Sequence, residues 1–214
     1  ARILGLPDDS VDAAGVLLDA IEEGQFRRIG LGAVEGRYFL FHCGIGYDAA
    51  VVEQVEKRGP WKRWAGHPLF IYAAMDTWLR RIDRKTPPLR VVDAHGTEIT
   101  KGFFTIVMNA NPYTFLGNRP FDIVPELTLD DPLAVVTLEQ IRLRTLGPVA
   151  VAAIGPGDVR SRKGVDIRAD VRSVVIECDP PSPYQVDGDH LGNSKRLRFT
   201  WTPEHLALVT PDLP

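Results

Sequence analysis

The chain has 214 residues, 44% of them hydrophobic and 25% charged, with a formal net charge of -3 and a pI near 6.0. That length supports one large domain, or one domain with a piece of another, and the slight acidic excess argues against a dedicated nucleic-acid binder, which carries a strongly basic surface. No run approaches the roughly 20 apolar residues of a membrane-spanning helix. The first apolar stretch carries Asp12, Asp19, Glu22 and Glu23, which excludes a secretory leader there.

The chain opens on Ala1, and Ala1 to Pro7 reads as a chain entered in mid-element, so a preceding part is expected. Asp9 or Ser10 caps a predicted helix over Val11, Leu17, Leu18 and Ile21, ended by Gly24. The period then changes to that of strands. Arg28–Val34 and Arg37–Phe41 flank Glu35-Gly36 as a hairpin. A short helix is expected over Tyr47 to Lys57 and a longer one over Trp61 to Lys85, with Pro68 kinking its start. Leu89–Asp93 and Thr97–Thr100 form a second hairpin around His95-Gly96, and Phe103–Met108 reads as a central strand. Asn111 to Asp131 is a long loop rich in Pro, Gly and Asn; loops of that length in compact domains are usually functional. Leu133–Thr137 is a further strand, followed by a helix over Leu138 to Ile154. From Val165 onward the pattern is strand and turn, over Val171–Cys178, Tyr184–Val186, Leu197–Trp201 and Leu206–Val209, with Asp187-Gly188 as a hairpin signal. The sum is an α+β, mainly β chain, a β-sandwich-like body carrying helical insertions.

Cys43 and Cys178 sit far apart, each in an apolar run, so buried free thiols are expected rather than a disulfide framework or a zinc site. Their use fits a reducing, cytoplasmic setting. Gly44-Ile45-Gly46 lacks the third glycine of a dinucleotide loop and reads as a strand-to-helix turn. Two acidic turns remain. Asp130-Asp131-Pro132 ends the long loop, where carboxylates and carbonyls suit a hard cation or simply make an Asp-Asp-Pro turn. Asp187-Gly188-Asp189 is either a solvated hairpin tip or the seat of a general base for an alcohol. Trp61, Trp64 and Trp78, interleaved with Lys62, Arg63, Arg80, Arg81, Arg84 and Lys85, suit anionic lipid headgroups or a core-facing stripe with charges opposite.

These pieces, taken in order, resemble the carboxy-terminal domain of bacterial, actinobacterial-type diacylglycerol and lipid kinases. The resemblance rests on Arg28–Gly32 through Gly36–Phe39, on Gly44-Ile45-Gly46-Tyr47-Asp48, and on Val107-Met108-Asn109-Ala110-Asn111. It continues with Pro125 to Leu133 against an LDDG-x-L segment and Gln185–Asp189 against QVDGE, and closes with Leu206–Pro211. It covers essentially the whole chain. The family's GGDGT and GTxND motifs, which belong to an amino-terminal NAD-kinase-like lobe, are not in this sequence.

The resemblance implies that residues 1–25 are the trailing helix of that nucleotide-binding lobe and that 26–214 are the β-sandwich lobe. It implies transfer of the ATP γ-phosphate to diacylglycerol or a related lipid alcohol, with ATP held mainly by the other lobe and Mg2+ as cofactor. Asp189 would be the catalytic base, one methylene shorter than the family's Glu, with Asp187 supporting it. The metal would be held by Asp131 with the carbonyls of Thr128 and Leu133, beside Pro132 in place of the family's Gly. This fragment alone is expected to be inactive. Its partners would be the lipid substrate and the membrane surface, peripherally at the inner face, with a homodimer allowed and no nucleic acid. A sphingosine-kinase-like enzyme and a non-catalytic lipid- or partner-binding module are the competing readings.

Overall fold

The apolar runs Phe104–Met108 (β6) and Leu133–Leu138 (β9) are buried at every position, so both faces of this strand pair must be covered. They pair antiparallel, with Ile106 opposite Val136 and Val107 opposite Val135. Alternation sends Val107, Leu133 and Val135 to one core and Phe104, Ile106, Met108, Ala134, Val136 and Leu138 to another. Thr105 and Thr137 lie opposite one another with no exposed surface, and their hydroxyls are 3.2 Å apart, each satisfying the other.

The computed structural model describes residues 2–46, 86–116, 119–155 and 157–211. The remaining strands are β1 (Phe26–Val34), β2 (Arg37–Phe39), β3 (His42–Gly46), β4 (Leu89–Val92), β5 (Glu98–Gly102), β7 (Thr114–Leu116), β8 (Arg119–Phe121), β10 (Val165–Val171), β11 (Ser173–Val186) and β12 (Asp189–Val209). The helices are α1 (Ser10–Glu22) and α2 (Leu143–Ile154). Ten strands form one sheet in the order β10-β9-β6-β3-β11-β12-β1-β2, with β4 on β11 and β5 on β4; β7 and β8 form a separate ribbon. All pairings are antiparallel.

Val34 near one end of this path and Leu133 near the other share a single core, so the sheet curls around its own apolar face. The opposite face of β6 and β9 is covered by Ala152 and Ala153 of α2, by Val159, and by Ile123, Val124 and Leu127 from the long loop. The mainly β expectation is borne out, but as one curled sheet rather than two separate ones.

Several boundaries move for identifiable reasons. The two strands expected over Val171–Cys178 and Tyr184–Val186 are one element. β11 pairs through Val175–Cys178 with β4 and through Tyr184–Val186 with β3, bridging an irregularity between Glu177 and Ser182. Leu197–Trp201 and Leu206–Val209 likewise merge into β12, whose middle residues, such as Phe199 and Thr200, pair with β11 on one side and β1 on the other. The second helix starts at Leu143, because Leu138 is still paired in β9 with Phe104 and Val165. The long loop contains the β7–β8 ribbon, whose base is held by Asn111: its carbonyl oxygen accepts from the Ile123 and Val124 amides and its Nδ2 donates to Asp122.

α1 is capped as expected, with Asp9 accepting from the amides of Val11 and Asp12 at 2.8 and 3.1 Å. Its apolar face is not packed: Ala20 is its buried residue, while Val11, Leu18 and Ile21 are exposed. The helices expected over Tyr47–Lys57 and Trp61–Lys85, with their tryptophans and basic side chains, lie outside the described residues.

Both cysteines are buried thiols, and neither is in a disulfide. Burial pushes the Cys178 thiol up to about 11, against a smaller opposing effect of hydrogen bonding at Ser182. Two expectations follow. Ile106→Ala should lower unfolding free energy by about 2–5 kcal/mol in a denaturant titration, since it empties a fully buried site. At pH 8 roughly one Cys178 in 10^3 is thiolate, so its alkylation should be slow in native protein and should jump on unfolding; equal rates in both states would contradict the packing.

Candidate functional site

β11 and β12 are joined by Asp187 and Gly188, both with positive φ, 48° and 93°, while Val186 pairs with Asp189. That is the backbone of a type I′ turn, for which Asp-Gly is a preferred sequence. Gln185, 1% exposed, braces the turn by accepting from the Gly188 amide at 2.7 Å.

The Asp187 carboxylate does not face an open cleft. It accepts from the Leu40 amide at 2.8 Å and from the Phe41 and His42 amides, each at 2.9 Å. In return the Asp187 amide donates to the His42 carbonyl at 2.9 Å. Leu40 and Phe41 link β2 to β3, which His42 opens, so Asp187 clips the β11–β12 hairpin to that junction. Asp189 is different: its side chain is 74% exposed and its nearest charge is Arg37, at 3.5 Å and itself 54% exposed. So loose and solvated a pair contributes little to stability and leaves the carboxylate accessible.

From residues 40–42 the network runs inward. Asn109, just beyond β6, has no exposed surface. Its amide donates to the Phe41 carbonyl at 2.8 Å, and its Nδ2 donates to the carbonyls of Leu40 and Gly30, each at 3.1 Å. Gly30 sits at the irregularity of β1 between Ile29 and Leu31, and its amide donates to the Leu129 carbonyl at 2.9 Å. A Cβ at residue 30 would overlap the Trp201 indole, so only glycine fits beneath that ring.

Leu129 leads into the second acidic turn. Asp131 Oδ2 accepts from the Thr128 amide at 2.9 Å and the Thr128 hydroxyl at 2.7 Å, and the Asp131 amide donates to the Thr128 carbonyl at 3.3 Å. Asp130 forms an ion pair with Arg27. Leu133 is fully buried and opens β9 opposite Val171. Asp131 Oδ1 accepts no hydrogen bond from this turn, whereas the Thr128 carbonyl, expected as a metal ligand, is taken by the Asp131 amide. A single carboxylate oxygen suits at most a Mg2+ ion that keeps most of its waters. Among the described residues no three His, Cys, Asp or Glu side chains converge to hold a cation unaided.

The two acidic turns are therefore tied to one end of the sheet by a continuous path: Asp187, residues 40–42, Asn109, Gly30, Leu129. The sequence marked both turns but not what joins them. Asn109 is legible as a polar residue closing a predominantly apolar strand, which is its only local signal. His42 and Tyr113, whose rings lie 4.6 Å apart beside this path, left none, since their contact depends on the β7–β8 ribbon folding back.

No family model matches the sequence, and no curated protein matches it. Its fold is similar to that of solved structures from Bacillus anthracis. One, described as a diacylglycerol kinase, aligns at a TM-score of 0.63 with 14% identity, covering 99% of this chain and 62% of that one. A second, a provisionally assigned diacylglycerol kinase, aligns at 0.70 with 17% identity, covering 99% of this chain and 64% of that one. The chain thus spans a little under two thirds of the length of these structures.

The different duties of the two turn carboxylates are separable. Asp187→Ala strands backbone donors at residues 40–42 and should cost about 1–3 kcal/mol of stability. Asp189→Asn should change it by no more than about 0.5 kcal/mol. Paired denaturant titrations would decide; equal losses would mean that Asp187 is not the clip.

Proposed function

We propose that this chain is the lipid-side lobe of an ATP- and Mg2+-dependent lipid kinase that phosphorylates diacylglycerol or a related lipid alcohol. The observation carrying the reading is the held-and-open pair: Asp187 is clipped to the backbone of residues 40–42, while Asp189, two residues on, stays exposed. The likeness in fold to the Bacillus anthracis structures over 99% of the chain supports it.

In this reading residues 1–25 form the last helix of a nucleotide-binding lobe, which accounts for the unpacked Val11, Leu18 and Ile21 on α1. ATP is held mainly by that lobe, and the complete enzyme sits peripherally at the inner membrane face. Phosphoryl transfer is chiefly positioning and charge neutralisation. The lipid hydroxyl oxygen attacks the γ-phosphorus, the bond to the β,γ-bridging oxygen breaks, and ADP leaves. Asp189 accepts the hydroxyl proton, and its exposed carboxylate is open to the incoming alcohol. Mg2+ supplies neutralisation of the phosphate charge, with Asp131 as the residue of this lobe that would hold it.

The test is transfer of the labelled γ-phosphate of ATP to diacylglycerol, read as labelled phosphatidic acid. The 214-residue chain alone should show none, and the chain together with an upstream nucleotide-binding lobe should turn over. Asp189→Asn in that active form should reduce kcat by about 10^2 or more with the fold intact, whereas near-normal turnover would remove Asp189 from the role. A panel of diacylglycerol and sphingosine fixes the alcohol.

A further inference from the structure

A second locus lies at the far end of β9. The strand runs from Leu133, beside the Asp131 turn, to Leu138, a distance of roughly 17 Å at about 3.3 Å per residue. Just past Leu138 opens a cavity of about 480 Å3 lined by Gln140, Arg144, Thr145, Ser161, Arg162 and Lys163. It brings three cationic side chains and two hydroxyls together, and no carboxylate lines it.

None of the nearby acids forms an ion pair with these three cations. Glu126 pairs with Arg160 and Asp166 with Arg168, while Glu139 and Asp158 are turned to the Thr100 hydroxyl and the Arg160 amide. Among the described residues Arg144, Arg162 and Lys163 have no ion pair, and the Nε of Arg162 is buried without a hydrogen-bond partner. The cavity also meets the start of α2. That helix has no side-chain cap and no acidic residue in its first turn, so its amino-terminal amides add positive potential there.

The backbone holds this arrangement in place. Gly164, at φ 81°, turns the chain so that Ser161–Lys163 return against α2, and a Cβ there would press on Thr145 Cγ2 at 3.1 Å. Its carbonyl accepts from the Glu139 amide at 2.9 Å, locking the turn to the end of β9. Like charges gathered without a counter-charge favour an anion, and guanidinium forks, hydroxyls and helix amides together are the donor set that phosphate takes.

We propose that this cavity binds a phosphate group, as a free phosphate or as the headgroup phosphate of an anionic lipid, at a site separate from the acidic turns. The probes are inorganic phosphate, followed by amide shifts of the 214-residue chain, and phosphatidylcholine vesicles with and without phosphatidic acid, followed by co-sedimentation. The expected result is a saturable phosphate shift confined to Gln140, Arg144, Thr145 and Ser161–Gly164, absent with chloride at equal ionic strength. R162Q/K163Q should weaken it at least tenfold. Vesicle binding that requires phosphatidic acid and is lost in the same variant, with no response to inorganic phosphate, assigns the site to a lipid headgroup. Should R162Q/K163Q fail to fold, R144Q at an exposed first-turn position takes its place. Binding of neither probe, equal shifts with chloride, or undiminished binding by the folded variants overturns the proposal.

Discussion

One carboxylate receiving the amides of Leu40, Phe41 and His42 fixes the position of the β11–β12 hairpin tip. The link between β2 and β3 is too short to make its own ladder, so its donors need an acceptor from elsewhere, and Asp187 brings one on a tight turn. Without it, three backbone donors would face water or nothing, and the hairpin tip would be free to swing. With it, the tip and the link form one rigid unit to which Asn109 adds the β1 irregularity and the Leu129 turn. Buried polar networks are favourable only when their members are matched, and here nearly all are. The exception is Asn109 Oδ1, buried and without a partner at the centre of the path.

The second constraint is β9. Because every residue of β6 and β9 is buried, neither strand can slip in register without turning a whole apolar set to the wrong face. The Thr105–Thr137 pair adds to this, since a slip would separate two buried hydroxyls. A strand so fixed works as a ruler. It holds the Asp131 turn at one end and the cationic cavity at the other, and it keeps an electronegative end and an electropositive end from neutralising each other.

What the sequence revealed follows from how local each feature is. Asp9 as a cap, Asp187-Gly188 as a turn and Phe103–Met108 as a buried strand are written in a few adjacent residues, and each was legible. The union of Tyr184–Val186 with the strand expected over Val171–Cys178 was not, because Pro180, Pro181 and Pro183 between them signal a break, whereas long-range pairing with β12 resumes at Ser182 beyond the irregularity. The start of α2 was misplaced for a similar reason: Leu138 has a helical neighbourhood in sequence, but its partners in β6 and β10 are distant. The cationic cavity escaped notice because its charges come from two segments, around Arg144 and around Arg162, that a sequence reading has no means to superpose.

The two aspartates of the hairpin show how far a motif can be read as chemistry. Two acids flanking a glycine invite the idea of a paired catalytic unit, but the turn divides them. Asp187 is held by three backbone amides, and losing them would loosen the tip. Asp189 begins β12 with its side chain largely in solvent and only a loose contact to Arg37, so no part of the fold is built on it. A group that must change protonation during each turnover has to be the one whose charge the structure does not need. By that criterion the conformational requirement falls on Asp187, and Asp189 is the carboxylate of the pair that the fold leaves free to act.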